Sequence, residues 1–348
     1  MDSLKYYEQQ LKSLEGKTIA IVYIFENEDA PGFDHYWVWK SDIISGWLNA
    51  VQELGCLPFI IDVRTFIQKA INGTLPQIDY VLNLNCGSYL LSSMSLVPSM
   101  CSFIGIPCIP CNAISIVMSE NKNVSNLLAM AKHLNVPEYL SHSSENGIYR
   151  PLNLGSSIGV KKGPNCRDLL SKGIYQEFIE GYDLTIPVVY NPLSQKLDIL
   201  PPILYFPKSQ DPNWIYDEEA KRNDNDFTML PIPNIEEQVK DKILDFANVF
   251  PIQTFGRIDA RLKCRGMKLS EKIVEKTIKQ QDMFFIEINS MPTIEPKDSF
   301  EYALNALEQF KQYSFYQYVN IYRNINKKFS INGFLLSCSM LALAKARY

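Results

Sequence analysis

Residues 284–290 read FFIEINS, an apolar run interrupted by Glu287 and Asn289 two positions apart. If the run is a strand, alternation sends Phe284, Ile286 and Ile288 to one face and Glu287 and Asn289 together to the other. Burying a carboxylate among large apolar residues is costly unless it is paired. A cation would satisfy the acid and the amide; an edge strand with one solvated face would do so equally well. An upstream segment, FGRIDARLK (255–263), has the same rhythm, with Arg257, Asp259 and Arg261 on one face and Ile258, Ala260 and Leu262 on the other. If the two strands are neighbours, Asp259, Glu287 and Asn289 share a face with Arg257 beside them. Oxygen donors of this kind, few in number, suit Mg²⁺ completed by phosphate oxygens.

Other segments place this pair in an α/β chain. KTIAIVYIF (17–25), LPFIIDV (57–63), DYVLNLN (79–85) and IPCIP (106–110) read as strands. Helical segments fall between them at 37–55, closed by Gly55, at 64–72 and at 92–105. Strand and helix in alternation predict an open parallel sheet over roughly residues 1–112. A helix is expected over 121–137, then a Gly/Ser loop within RPLNLGSSIGVKKG (150–163), then two strands in IYQEFIEGYDLTIPVVY (174–190) around a turn at Gly181. The loop GSSIG can bring backbone N–H groups and two hydroxyls to a phosphate, although a plain turn reads the same way. No G-x-x-x-x-G-K-[ST] occurs, and no G-x-G-x-x-G follows the first strand.

Composition narrows the function classes. The 348 residues are 46% hydrophobic, enough for two or three cores, and 34 basic against 38 acidic residues give a net charge of −4. Nucleic-acid and membrane-surface partners usually require a basic excess. No signal-type segment and no run of about 18 apolar residues is present, so a soluble cytoplasmic chain is expected. The segment FLLSCSMLALAKARY (334–348) reads as a closing helix. Three dispersed histidines (His35, His133, His142) argue against a histidine-rich zinc site or a Ser-His-Asp triad. Eight irregularly spaced cysteines fit reduced thiols, and Cys108 and Cys111 of CIPC read as small apolar residues at a strand end rather than a redox pair. The insert 264–282 reads as an added helix capped by Ser270, with Ile273, Val274 and Ile278 inward; it is either a solvated helix or a docking surface for a carrier protein.

The ordered segments RPLNLGSSIG, QEFIEGYDLTI, YDEEAK, GRIDARL and FIEINSMP resemble the ATP-grasp ligases, most closely their D-alanine–D-alanine ligase branch, over about residues 17–300. The resemblance implies an α/β, three-domain ATP-grasp architecture: an N-terminal open parallel α/β domain (1–112), a central subdomain (113–180) and a C-terminal domain (181–348) with the metal site and a helical extension. It also implies that a carboxylate is activated by ATP as an acyl phosphate and captured by an amine. By the same resemblance, Lys122, Arg150 and Lys221 face the nucleotide phosphates, Arg150 standing where the family has a lysine. Gly155, Ser156, Ser157 and Gly159 cover the phosphates, backbone groups of Glu177 and Ile179 meet adenine, and Asp183 holds the ribose. Arg257 stabilises the developing charge, and Asp259, Glu287 and Asn289 hold Mg²⁺, with Mn²⁺ as an alternative.

Four departures fall in the family's amino-acid subsites. ENEDAPGFDHYWVWKS (26–41) has no clear E-x-x-V-S, NCGSYLLSS (85–93) replaces H-G-x-x-G-E-D-G, Arg222 stands for a tyrosine, and Thr293 for a glycine. The expectation is therefore a ligase with retained activation chemistry and altered substrates, an amino acid or small carboxylic acid in specialised metabolism. Loading of an amino acid onto a carrier-protein thiol and a non-catalytic nucleotide-binding homologue are the alternatives. A homodimer is expected by analogy alone.

Overall fold

The computed structural model describes residues 3–25, 39–87, 92–164, 173–217, 219–222, 226–263, 276–326 and 328–345. After helix α1 (Ser3–Lys12), the first sheet is built from β1 (Thr18–Tyr23), β2 (Leu57–Asp62), β3 (Tyr80–Asn83) and β4 (Cys108–Ile109). All are parallel, in the order β2-β1-β3-β4. Helices α2 (Ser41–Glu53), α3 (Val63–Ile71) and α4 (Leu96–Ile104) connect them. The alternation along β1 explains the layering. Ile19 and Ile21 join the core containing Ile43 and Trp47 of α2, while Ala20 and Val22 join the one containing Phe66 of α3 and Val97 of α4. A strand covered on both faces reads as a continuous apolar run, as TIAIVY does.

Two helices follow where one was expected. Asn112 caps α5 (Ala113–Glu120) through Ser115 N–H, and Asn121 caps α6 (Lys122–Ala131) through the amides of Asn123 and Val124. The next sheet is antiparallel, order β6-β5-β7, from β5 (Gly147–Pro151), β6 (Lys161–Lys162) and β7 (Gly173–Glu177). The third sheet contains β8 (Gly181–Asn191), β9 (Lys196–Ile199), β10 (Ile203–Pro207), β11 (Phe227–Pro231), β13 (Phe255–Lys263) and β15 (Met283–Asn289). Its order is β11-β10-β8-β13-β15, with β9 also on β8. The turn at Gly181 thus joins two sheets rather than closing a hairpin, since β7 and β8 do not pair.

Within the insert, Ser270, Ile273 and Val274 lie outside the described residues. Ile278 does not belong to a helix: β14 (Thr277–Ile278) pairs in parallel with β12 (Asn234–Ile235), and Ile278 is fully buried. Helix α7 (Glu237–Val249) packs its Ile243 and Phe246 into the same core. After α8 (Ser299–Ala306) and α9 (Phe315–Ile325), α10 (Ile331–Lys345) closes the described chain. Nearly every side of α10 is buried, which accounts for its all-round apolar sequence. It packs against α2 and β8, so the first and third sheets share a core, with Trp47 stacked on Phe255 at 6.1 Å. Glu53 of α2 reinforces this junction by accepting hydrogen bonds from Tyr322 Oη (2.8 Å) and Ser330 Oγ (2.6 Å). Among the described residues, no helix is long and apolar enough to cross a membrane.

Candidate active site

Strands β13 and β15 are neighbours, and their register places Arg257 opposite Asn289 and Asp259 opposite Glu287. The strict alternation expected for 284–289 does not hold. A β-bulge shifts the register after Asp259, so Phe285 and Ile288 enter the core while Phe284 and Ile286 remain half-buried. The extra residue bends the strand and frees a ladder carbonyl. That carbonyl, on Ile286, accepts a hydrogen bond from Arg150 Nη1 at 2.9 Å. Gln176 Oε1 takes the other arm of Arg150 at 2.5 Å, fixing the guanidinium although it is 95% buried.

The Asp259 carboxylate is held from three sides. Thr185 Oγ1 donates to Oδ1 at 2.7 Å and Asn289 Nδ2 to Oδ2 at 2.7 Å. Arg257 grips both oxygens, with Nε 3.0 Å from Oδ1 and Nη2 2.9 Å from Oδ2. Glu287 points instead to Lys122, whose Nζ lies 3.4 Å away and also donates to the Leu154 carbonyl at 2.5 Å. Burial favours the neutral form of Glu287, yet Lys122, Arg150, Lys221 and Arg257 together pull its pKa below the ordinary range. For Lys122 burial prevails and its pKa is lowered, with Glu287 opposing and Arg150 reinforcing the shift. Two carboxylates therefore sit within a ring of four cationic heads, an excess of positive charge suited to a polyanion.

The glycine loop comes to this cluster across the gap between sheets. Ser156, Ser157 and Gly159 have φ of +53°, +64° and +72°, a left-handed stretch that turns the loop sharply. A Cβ on Gly159 would stand 3.0 Å from Pro151 Cγ. Ser157 Oγ donates to the Tyr216 carbonyl (3.1 Å) and accepts from Lys221 Nζ (3.0 Å). The loop is thereby joined to the strap between β10 and β11. Lys221 is an exposed residue whose ammonium is held on Ser157, and desolvation and then Arg257 lower its pKa.

The expected nucleoside-side residues lie further along. Glu177 donates its backbone N–H to the Glu138 carbonyl (2.8 Å), and its own carboxylate accepts from Glu138 N–H (3.2 Å). The Ile179 carbonyl accepts from Arg261 Nε at 2.9 Å. Asp183 has both oxygens engaged by protein, Oδ1 by Arg261 Nη1 (3.1 Å) and Oδ2 by Tyr216 N–H (2.7 Å). Three participants had no role in the sequence reading: Arg261, Thr185 and Gln176. Arg261 carried a usable signal, being the third polar residue on the Arg257/Asp259 face; Thr185 and Gln176 depend on pairings between distant segments. Of the substituted amino-acid subsites, 26–38 and 88–91 lie outside the described residues. The thiols of CIPC are buried: Cys111 donates to the Ser290 carbonyl (3.2 Å), and burial pushes its pKa up to about 12. A thiol so placed is not poised as a thiolate.

The donor set fits a hard divalent cation. Among the described residues no group of three His, Cys, Asp or Glu side chains converges, so a site closed by protein ligands alone is not formed. Asp259, Glu287 and Asn289 supply two carboxylates and an amide from adjacent strands, the partial shell that Mg²⁺ takes when phosphate oxygens complete it. The four lone-pair positions of Asp259 are used by Thr185, Arg257 and Asn289, so metal ligation by this carboxylate requires one of those donors to yield.

Comparisons with known proteins bear on the fold. The chain superimposes on D-alanine–D-alanine ligase from Bacillus anthracis complexed with ATP with a TM-score of 0.61, covering 95% of this chain and 99% of that one at 12% identity. The fold is therefore the ATP-grasp fold that these ligases share. Two further ATP-grasp structures are D-alanyl-alanine synthetase A from Vibrio cholerae and the VanG D-Ala:D-Ser ligase from Enterococcus faecalis. Their TM-scores are 0.59 and 0.57 at 16% and 13% identity; each covers 94% of this chain and 99% or 100% of its own. Among curated sequences, D-alanine–D-alanine ligase of Listeria monocytogenes (strain EGD-e) is 25% identical over 240 residues, 65% of this chain and 59% of that protein. The Legionella pneumophila (strain Corby) enzyme is 25% identical over 222 residues, 54% of this chain and 57% of its own. The chain thus spans less than two thirds of the length of these relatives, and it matches no protein-family model. The expected three-domain α/β ATP-grasp architecture is borne out.

Proposed function

We propose that this protein is an ATP-dependent carboxylate–amine ligase that activates an amino acid or another small carboxylic acid. The observation that carries the reading is the cross-strand Asp259/Glu287 pair enclosed by Lys122, Arg150, Lys221 and Arg257. A carboxylate oxygen of the acid attacks the γ-phosphorus of ATP, the bond to the β,γ-bridging oxygen breaks, and ADP departs. The amine nitrogen then attacks the acyl carbon, phosphate leaves with the C–O bond electrons, and the nitrogen loses a proton. The protein contributes placement and charge neutralisation, the principal terms in phosphoryl transfer.

Lys122 and Arg150 form a fixed cationic floor, since both are buried and tied to the Leu154 carbonyl and to Gln176 and Ile286. Arginine there offers a planar fork to phosphate oxygens where an ammonium offers a point charge. Lys221 and Ser157 close the cleft from the strap and loop sides. Arg257, oriented by Asp259, is the cation available to the acyl phosphate and to the oxyanion that follows. Asp259, Glu287 and Asn289 would hold Mg²⁺, which would supply neutralisation of phosphate charge. We place the domain divisions near 112/113 and 180/181; the first and second sheets close before these positions and the third begins at Gly181. The direct test is ADP and phosphate release from ATP and Mg²⁺ across L- and D-amino acids, singly and in pairs, with products read by mass spectrometry. Release that depends on one acid, and is lost in Asp259→Ala, supports the reading. ATP binding without release under any pairing contradicts it.

A further inference from the structure

We propose that Arg261 is a positioning residue that ties the nucleoside-side hinge to the strap carrying Tyr216 and Lys221, so that Lys221 meets the glycine loop only while Arg261 holds both. Arginine has five N–H donors, and all five are placed here. Nε donates to the Ile179 carbonyl (2.9 Å). Nη1 donates to Asp183 Oδ1 and to the Trp214 carbonyl, each at 3.1 Å. Nη2 donates to the carbonyls of Gly181 (2.6 Å) and Pro212 (3.3 Å). The residue is 4% exposed. One guanidinium therefore joins three separate pieces of chain: β13, the crossing 179–183 and the strap at 212–214.

The surroundings follow the same logic. Gly181 N–H donates to the Pro212 carbonyl (2.9 Å), and Asp183 takes Tyr216 N–H, so the crossing and the strap also bind each other directly. Phe178 meets two cations, with Arg261 Cζ 4.7 Å and Lys162 Nζ 3.6 Å from its ring centroid. Lys162 in turn donates to Asn213 Oδ1 at 2.8 Å, adding β6 to the strap's anchors. Beyond Tyr216 the strap reaches Ser157 through the Tyr216 carbonyl and Lys221 Nζ. Arg261 is thus the node between the hinge of the two ATP-grasp sheets and the segment that covers the phosphates. Four of its five acceptors are main-chain carbonyls, whose positions a shorter side chain with three donors cannot all meet. The role in catalysis rests on the ligase reading; the mechanical tie does not.

The experiment compares wild type, Arg261→Lys and Arg261→Met by brief proteolysis with and without ATP, and by steady-state kinetics. Cleavage within 208–222 is expected to be slow in wild type, at least ten-fold faster in both variants, and no longer suppressed by ATP in Arg261→Met. The KM for ATP is expected to rise at least ten-fold while the KM for the acid stays within two-fold, with Arg261→Lys intermediate. A folded variant with wild-type cleavage in the strap overturns the tie, whatever the activity. Faster strap cleavage with an unchanged KM for ATP overturns the positioning role. If Arg261→Met does not fold, Arg261→Lys decides both points. Wild type that neither binds nor hydrolyses ATP sinks the ligase reading and leaves the strap result to judge the tie alone.

Discussion

Replacing Glu287 by Gln separates the electrostatics of the cleft from its chemistry. Lys122 is 94% buried with its ammonium 3.4 Å from the Glu287 carboxylate. At an effective dielectric of about 20, a pair at this distance attracts by about 5 kcal/mol. Removing one member of a buried pair typically costs about 3–5 kcal/mol, because the other is left uncompensated. Glutamine keeps the shape, so about 3 kcal/mol of destabilisation is expected at pH 7. The sign of its pH dependence follows from Lys122. Burial already lowers its pKa, and losing Glu287 removes the main opposing influence. With the folded pKa below the unfolded one, the unfolded chain binds more protons between them, so stability rises with pH across that interval. The deficit of Glu287→Gln should therefore narrow between pH 7 and pH 9.5, and Lys122→Met in the same chain should restore most of the stability. Neither single nor double variant should recover ATP turnover. Denaturant unfolding at the two pH values, with an ADP-release assay alongside, checks this. Glu287→Gln as stable as wild type at pH 7, or a deficit that widens with pH, refutes the reasoning.

Two further outcomes follow from backbone and burial. At Gly181 φ is +150° and an added Cβ would lie 2.0 Å from the Leu262 carbonyl oxygen, a backbone atom that cannot rotate away; Gly181→Ala is expected to cost about 3 kcal/mol or more by denaturant unfolding, with loss of ATP affinity at the adjoining hinge. Burial raises the pKa of Asp298, the N-cap of α8, to about 7, against the amides of Glu301 and Glu295 that oppose the shift. Because the folded state then binds the proton more tightly, wild type loses stability from about pH 4 to pH 7. Asparagine caps as well and carries no charge, so Asp298→Asn should gain on wild type as pH rises from 5 to 8; a variant that keeps pace with wild type or falls behind it over that range contradicts the assignment.

The parallel sheet was legible because its central strands β1 and β3 are buried on both faces and therefore appear as largely apolar runs such as TIAIVY. The cross-strand polar cluster was legible because alternation on β13 places Arg257 and Asp259 together, and their pairing with β15 brings Glu287 and Asn289 opposite. What alternation could not show is the bulge at Ile286, since one extra residue leaves the composition of the strand unchanged. Its consequence, a carbonyl turned toward Arg150, depends on a partner 136 positions away. The same limit applies to Arg261. Its place on the polar face was visible, but four of its five acceptors are main-chain carbonyls, which leave no mark on side-chain chemistry. The strand at Thr277–Ile278 was hidden for a related reason: two residues paired to Asn234–Ile235 are too few for a period to register.

The central claim is that the cleft activates a carboxylate through phosphoryl transfer, and hydroxylamine trapping tests it most directly. With ATP, Mg²⁺, hydroxylamine and each candidate acid, the account predicts a hydroxamate of one acid in proportion to ADP formed, and none from Asp259→Ala. ADP formed without hydroxamate for every acid, or hydroxamate formation that survives Asp259→Ala, would contradict it.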